Sequence, residues 1–379
     1  MMYALRNFCY YRNGQLVSGD SIIIKNEKVK EILPAEQLPE TLNSIDLKGN
    51  FLTHGFIDLQ VNGGNDSFFP QDLSVDSLEK IYEDHLVLGT TNFLPTMITS
   101  SLDEMLKSIE VVRSYMESGK PGVLGLHLEG PFINVQKKGA HNEKYIRKPT
   151  KIELETILNA GEGVIKMMTI APELFDKQLL DLISSRGIVI SAGHSNATMA
   201  VAKKSFEYGV STITHLYNAM SQFNSREPGM VGAALDSDVY SAIIVDGFHC
   251  DYAAVNVAYR LKQGKLFLVS DATLLGNKDT FSNGKQYLYK EGKYLNEEGN
   301  LAGSNIAMIH GVANCIKHLN VPVNCAFEMA NKIPAKVLNL TACSGTIDIN
   351  QEANMVILSK EWNVAGIVGR GVYREFTNN

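Results

Sequence analysis

Glu129, His194, His215 and Asp271 each stand directly after a short apolar run, and together they offer two imidazoles and two carboxylates. Imidazole nitrogen and carboxylate oxygen are the donors that suit a catalytic divalent ion with one position left open for water. Such an ion acidifies a water toward neutrality, and a carboxylate beside it can take a proton and return it to a leaving amine. Glu129, His194 and His215 are the expected ligands of a single ion, and Asp271 is the expected base and acid. Any one of them alone would be an ordinary strand-end residue; their coincidence carries the inference. Zinc is the default ion, and iron or cobalt accepts the same donors.

These side chains need a scaffold that brings the ends of separate strands together. Apolar runs of strand length recur at 55–61, 91–95, 123–128, 166–170, 188–192, 211–214, 241–245 and 266–269, each followed by a polar or glycine-rich turn. Buried parallel strands read as such continuous runs. Helical patterns fit between them at 75–88, 102–118, 152–159, 176–185 and 198–208. The alternation predicts an α/β fold, a closed (β/α)8 TIM barrel whose site is built at the C-terminal ends of the strands. An open doubly wound sheet is the alternative, but it would not place polar residues after nearly every strand. Here six of the runs do so: Asp58, Gln60 and Asn62 close the first, Glu129 the third, His194 the fifth, His215 and Asn218 the sixth, Asp246 and His249 the seventh, Asp271 the eighth.

The first fifty residues read differently, as short strands at 4–8, 21–25 and 28–33 with a turn at Asn13-Gly14. The last forty have the same texture at 345–347, 355–358 and 364–368, followed by a polar tail. Residues 1–50 and 343–379 are therefore expected to form one small β-sandwich domain, with the catalytic barrel at 51–342.

The bulk properties agree with two such units in 379 residues, since 45% hydrophobic and 20% charged residues describe a chain able to bury a large core. The net charge of -6 comes without a long basic run, which excludes the footprint of nucleic-acid or anionic-membrane binding. An anionic substrate must then be met by a local group of donors. No stretch approaches the roughly 20 apolar residues of a membrane span, and residues 1–11 lack a signal-peptide core, so a cytoplasmic setting is expected. Cys9, Cys250, Cys315, Cys325 and Cys343 are odd in number and contain no CxxC pair, as reduced core thiols would be.

Several segments go beyond generic chemistry. Gly55-Phe56-Ile57-Asp58-Leu59-Gln60-Val61-Asn62-Gly63-Gly64, His127-Leu128-Glu129-Gly130-Pro131-Phe132, Lys138-Gly139-Ala140-His141-Asn142, Ala171-Pro172-Glu173, Gly193-His194-Ser195-Asn196-Ala197-Thr198, Thr214-His215-Leu216-Tyr217-Asn218-Ala219-Met220, Arg226-Glu227-Pro228-Gly229 and Val269-Ser270-Asp271-Ala272-Thr273 follow one another in order. That ordered set resembles the motifs of the N-acetylglucosamine-6-phosphate deacetylases of the amidohydrolase superfamily, over nearly the whole chain. The resemblance implies a metal-dependent hydrolase that removes an acetyl group from an amino-sugar phosphate. It implies Glu129, His194 and His215 as metal ligands, Asp271 as base and acid, and His141 as the residue that polarises the acetamide oxygen. Asn218, Ala219 and Arg226 would take the phosphate, with Gly303 and Ser304 lining the sugar. His249 would reach the active site of a neighbouring subunit, which implies a homodimer.

The chain also departs from the pattern. Gln60 and Asn62 stand where many superfamily members carry His-x-His for a second ion; amides are poor zinc ligands, so the pair is expected to be a vestige and the enzyme to use one ion. His54 replaces a usual proline and is read as a loop change. Leu274-Leu275-Gly276-Asn277 replaces a small proline-containing turn near the sugar, which keeps the epimer, N-acetylgalactosamine 6-phosphate, as an alternative substrate. A dihydroorotase-like reaction is disfavoured because no strand-end lysine sits beside the cluster. A catalytically silent sugar-phosphate binder is disfavoured because it has no need of an open metal site with a base beside it.

Overall fold

The computed structural model describes residues 2–276, 278–282, 285–341 and 345–376. It opens with β1 (Met2–Arg12), β2 (Gln15–Ser18), β3 (Asp20–Lys25), β4 (Lys28–Pro34) and β5 (Ser44–His54). β1 lies antiparallel to β2 and β3 and parallel to β5. β5 then leads directly into the barrel.

Eight parallel strands follow in sequence order around the barrel: β6 (Phe56–Val61), β7 (Thr90–Ile98), β8 (Leu126–Glu129), β9 (Ile165–Ile170), β10 (Val189–Ala192), β11 (Val210–Ile213), β12 (Tyr240–Ile243) and β13 (Leu266–Leu268). Every residue of β6 and β7 is buried, as strands covered on both faces require. The ring closes just past the strand ends, where Asp271 N–H donates to Gln60 O at 3.0 Å and Asn62 N–H to Ala272 O at 2.9 Å. The barrel is thus sealed by the same short segments that carry candidate site residues.

The intervening helices are α1 (Val75–Leu86), α2 (Leu102–Glu117), α3 (Lys151–Ala160), α4 (Lys177–Ser184), α5 (Met199–Glu207), α6 (Gly229–Leu235) and α7 (Tyr252–Leu261). Their starts are written locally: the side chains of Ser74, Ser101, Thr150, Asp176, Thr198 and Asp251 each accept from a first-turn backbone N–H. Ser101 and Glu104 complete a reciprocal capping box.

After β13 the chain makes a three-stranded antiparallel sheet that the sequence reading did not anticipate, β14 (Thr280–Ser282), β15 (Lys285–Lys290) and β16 (Lys293–Asn296). Then come α8 (Met308–Leu319), α9 (Val323–Ala330) and α10 (Lys332–Val337). The chain returns to the opening strands with β17 (Met355–Leu358), β18 (Val364–Gly369) and β19 (Val372–Glu375).

β17 lies antiparallel to β5, so both ends of the sequence build one sheet, ordered β19-β18-β17-β5-β1-β3-β4. The segment leading into β17 lies against the start of β4 and the turn before it: Val29 N–H donates to Gln351 O at 3.0 Å and Ala353 N–H to Glu27 O at 2.7 Å. Tyr3, Leu5, Ile22, Val29, Met355 and Val368 therefore share one core. Two expectations are corrected here. Residues 345–347 are not a strand, because Gly345 packs tightly on the backbone of Asn331 and Lys332. The polar tail does carry a strand, β19, which pairs as an edge with β18. Cys343 lies outside the described residues; Cys9, Cys250, Cys315 and Cys325 are free thiols.

Candidate active site

Glu129 is the last residue of β8, while His194 and His215 lie two residues beyond β10 and β11. His194, His215 and Asp271 have φ of 47°, 28° and 50°. Residues with a Cβ cost about 1–3 kcal/mol each in that region, and they persist only where neighbours hold them. Such holds are present: Asn134 N–H donates to His194 O at 2.9 Å, and Ser304 N–H donates to Asp271 O at 2.8 Å. The backbone is bent where it must turn a side chain into the barrel mouth.

The three side chains converge on one point. Glu129 Oε1 lies 3.2 Å from His194 Nε2 and 3.1 Å from His215 Nε2, and the two ring nitrogens are 3.1 Å apart. All three residues are buried. His194 Nδ1 faces Lys137 O at 2.8 Å; a carbonyl only accepts, so Nδ1 carries the proton and Nε2 presents a lone pair. Lone pairs of nitrogen and oxygen gathered this closely fit a divalent cation. Burial disfavours the charge of Glu129, but the imidazoles of His194, His215 and His141 around it outweigh that and hold its pKa well below the usual range. Burial also opposes a proton on His215, and Glu129 outweighs that too, so its pKa is raised.

Asp271 stands beside this cluster in a different environment. Burial, then the charge of Glu129, push its pKa up to about 6, with His215, His249 and the bond from Asn62 pulling the other way. Gln60 Nε2 donates to Glu129 Oε1 at 3.0 Å and to Asp271 Oδ1 at 3.1 Å, and Asn62 Nδ2 donates to the same Oδ1 at 2.8 Å. Gln60 therefore bridges the two carboxylates with its N–H groups, and Asn62 adds a second donor to Asp271.

A cavity of 420 Å³ opens over these residues, lined by Asn62, Glu129, His141, His194, His215, Asn218, Ala219, His249, Asp271 and Gly303. Most of the expected site is thus brought together. His141 Nε2 lies 3.8 Å from Glu129 Oε2, and the His141 and His194 rings are 4.3 Å apart. Ser304 does not line the cavity; it is buried behind it, its hydroxyl donating to Ser270 O at 2.6 Å.

Within one chain, the two side chains expected at the phosphate end are placed differently. His249 belongs to its own chain's cavity, because Asp246 clamps it there: Oδ1 accepts the His249 backbone N–H at 2.8 Å and Oδ2 meets Nδ1 at 2.6 Å. Arg226 is exposed and does not line this cavity. Glu227 beside it ties this loop to the start of α5, its Oε1 accepting from Met199 N–H at 2.7 Å.

The turn at 274–276 acts on the cavity through apolar packing. Leu274 turns into an apolar cluster with Phe68, Ile98, Tyr287, Tyr294 and Ala302, so it shapes the cavity through Phe68, Ile98 and Tyr287, which do line it. Asn277 lies outside the described residues. Thr99 was missed: the expected run at 91–95 stops short of it, whereas β7 continues to Ile98, placing Thr99 at the mouth against His141. Glu173, from the Ala171-Pro172-Glu173 motif, ties the loop after β8 to the loop after β10, accepting from Asn134 Nδ2 at 2.9 Å, Ser195 Oγ at 2.6 Å and Asn196 N–H at 2.7 Å.

An eight-stranded barrel with a buried carboxylate–imidazole cluster at its C-terminal mouth defines a metal-dependent hydrolase. Residues 51–374 match the amidohydrolase family and residues 2–52 the NagA composite domain, and the chain belongs to the amidohydrolase family. It is 37% identical to an N-acetylglucosamine-6-phosphate deacetylase of Haemophilus influenzae over 99% of this chain and 100% of the relative. An N-acetylgalactosamine-6-phosphate deacetylase of a Shewanella species is 36% identical over 85% of this chain and 82% of that one. The crystal structure of N-acetylglucosamine-6-phosphate deacetylase from Pasteurella multocida superposes with a TM-score of 0.96 at 38% identity, covering 99% of this chain and all of that one. No helix among the described residues is long and apolar enough to cross a membrane.

Proposed function

We propose that this chain hydrolyses the acetamide of N-acetylglucosamine 6-phosphate to glucosamine 6-phosphate and acetate. The observation that carries the reading is the meeting of Glu129, His194 and His215 at one point, with Asp271 tied to the same Glu129 through Gln60. Full-length similarity to a deacetylase of that substrate supports it.

Glu129, His194 and His215 would hold one divalent ion, which we assign as zinc, though iron or cobalt suits the same donors. When bound, the ion supplies an acidified water and polarises the carbonyl. Asp271 takes a proton from the attacking water and passes it to nitrogen as the C–N bond breaks, so acetate keeps the new oxygen and the sugar leaves as the amine. Gln60 and Asn62 hold Asp271 Oδ1 from two sides, which orients the carboxylate for both transfers. His141 donates to the acetamide oxygen as it gathers charge. Asn218, Ala219 and His249 receive the phosphate.

The same reading includes a homodimer and a reducing, cytoplasmic setting. Exposed Phe223 and Phe248, on the loops after β11 and β12, support the first, and the four free cysteines support the second. Acetate release from N-acetylglucosamine 6-phosphate, lost on chelation and restored by zinc, with one ion per chain by elemental analysis, is the expected result. A metal-replete protein that releases no acetate would reject the reading. The galactosamine epimer remains the second reading because of the Shewanella relative; kcat/KM on the two sugars decides between them.

A further inference from the structure

We infer that Thr99 is a positioning residue that fixes which ring nitrogen of His141 carries the proton, keeping His141 a donor to substrate and out of the metal's ligand set. The inference rests on the deacetylase reading of this cavity. The need for such control is visible in the geometry: one ligand atom each from Glu129, His141 and His194 lie within 4.8 Å of one another, near enough to share an ion. If Nε2 of His141 presented a lone pair there, it would compete for the position that water must occupy.

Thr99 acts on the far side of the ring. Its backbone N–H points at His141 Nδ1 at 3.4 Å, and its hydroxyl lies 2.7 Å from the same nitrogen. An N–H only donates, so Nδ1 must be the acceptor. The hydroxyl also lies near Glu129 O, but at 3.3 Å that contact is longer than the 2.7 Å to Nδ1, so its proton goes to Nδ1. The ring proton then sits on Nε2, which faces Glu129 Oε2 at 3.8 Å.

His194, whose ring is 4.3 Å away, has the opposite arrangement, with Nδ1 donating to Lys137 O at 2.8 Å and Nε2 aprotic. Two adjacent histidines are thus given opposite tautomers by what stands behind each ring, one as ligand and one as donor. Gly130 makes room for this device. A Cβ there would meet Thr99 Oγ1 at 2.2 Å, so the glycine beside Glu129 is what lets the hydroxyl reach the ring.

The test uses the full-length, zinc-loaded protein with 15N-labelled histidine, the His141 signal being assigned by its loss in His141→Gln. Proton–nitrogen correlation should show His141 protonated at Nε2 and aprotic at Nδ1. Thr99→Val, which keeps the shape and removes the hydroxyl, should lose that single-tautomer pattern. It should lower kcat about tenfold or more with KM and metal content little changed, while Thr99→Ser restores kcat to within about threefold of wild type. Wild-type His141 protonated at Nδ1, or a serine variant as slow as the valine variant, overturns the proposal. If the wild type releases no acetate at all, the deacetylase reading fails, and the resonance measurement still decides the tautomer.

Discussion

Asp271 and Glu129 are two buried carboxylates at one cavity whose surroundings push their pKa values apart. Glu129 is held well below its ordinary pKa while Asp271 is raised to about 6, so one stays an anion and the other can exchange protons near neutrality. Asp271→Asn separates proton transfer from structure, because the amide oxygen can still accept from Gln60 and Asn62. Turnover should fall by about 10²–10⁴-fold with metal content unchanged, read by acetate release and elemental analysis. An active variant would remove Asp271 from the proton path. His249 is tested by contrast between substrates. Its Asp246 clamp directs it into the cavity, so His249→Ala should raise KM for the 6-phosphate by about tenfold or more, the worth of a hydrogen bond to a charged group. KM for unphosphorylated N-acetylglucosamine should barely move. Equal effects on both sugars would take His249 away from the phosphate. The sequence could mark His249 and Arg226 as polar residues on mouth loops, but which loop turns inward depends on Asp246 and Glu227, whose local bonds leave no periodic signature.

At the scale of elements, the barrel seam and the site are one piece of structure. β6 and β13 join past their ends through Asp271, Ala272, Gln60, Asn62 and Gly63. Gly63 is required there: a Cβ would lie 2.2 Å from Thr273 O and 2.5 Å from Ser67 O. Gly63→Ala should therefore force the seam apart, costing about 1–3 kcal/mol in urea unfolding and most of the activity together. Loss of stability with full activity would show that the seam and the site move independently. The eight strands were legible because burial on both faces writes each as an apolar run, and most expected edges fall within a residue or two of the observed ones. Exceptions have physical causes. β7 continues through Pro95 to Ile98, since buried Thr96 ended the apolar run without ending the strand. β16 alternates half-buried Lys293 and Leu295 with buried Tyr294 and Asn296, and both β15 and β16 carry lysines, so their weak hydrophobic alternation did not register.

At the scale of the molecule, His54 joins the terminal sheet to the barrel. It ends β5 opposite Met355 of β17, its carbonyl accepts from Asn331 Nδ2 at 3.5 Å, and its ring Nδ1 meets Gly55 O at 2.7 Å. The sequence reading treated it as a tolerated loop change; the structure instead buries it, and burial lowers its pKa to about 4 from an ordinary 6.5, despite the bond to Gly55 O. Because the folded pKa is depressed, the unfolded chain binds more protons between those two values. Stability from this histidine is therefore complete above about pH 6.5 and is lost as pH falls toward 4, by on the order of 3 kcal/mol. His85 and His127 are buried with lowered pKa values as well, so the wild-type slope belongs to several groups. The difference between wild type and His54→Gln isolates this one. The glutamine variant should lose less unfolding free energy between pH 7 and about pH 4.5 than wild type does, measured by urea titration at each pH. Parallel curves for the two proteins would mean that His54 titrates alike folded and unfolded, and that the junction is open to water.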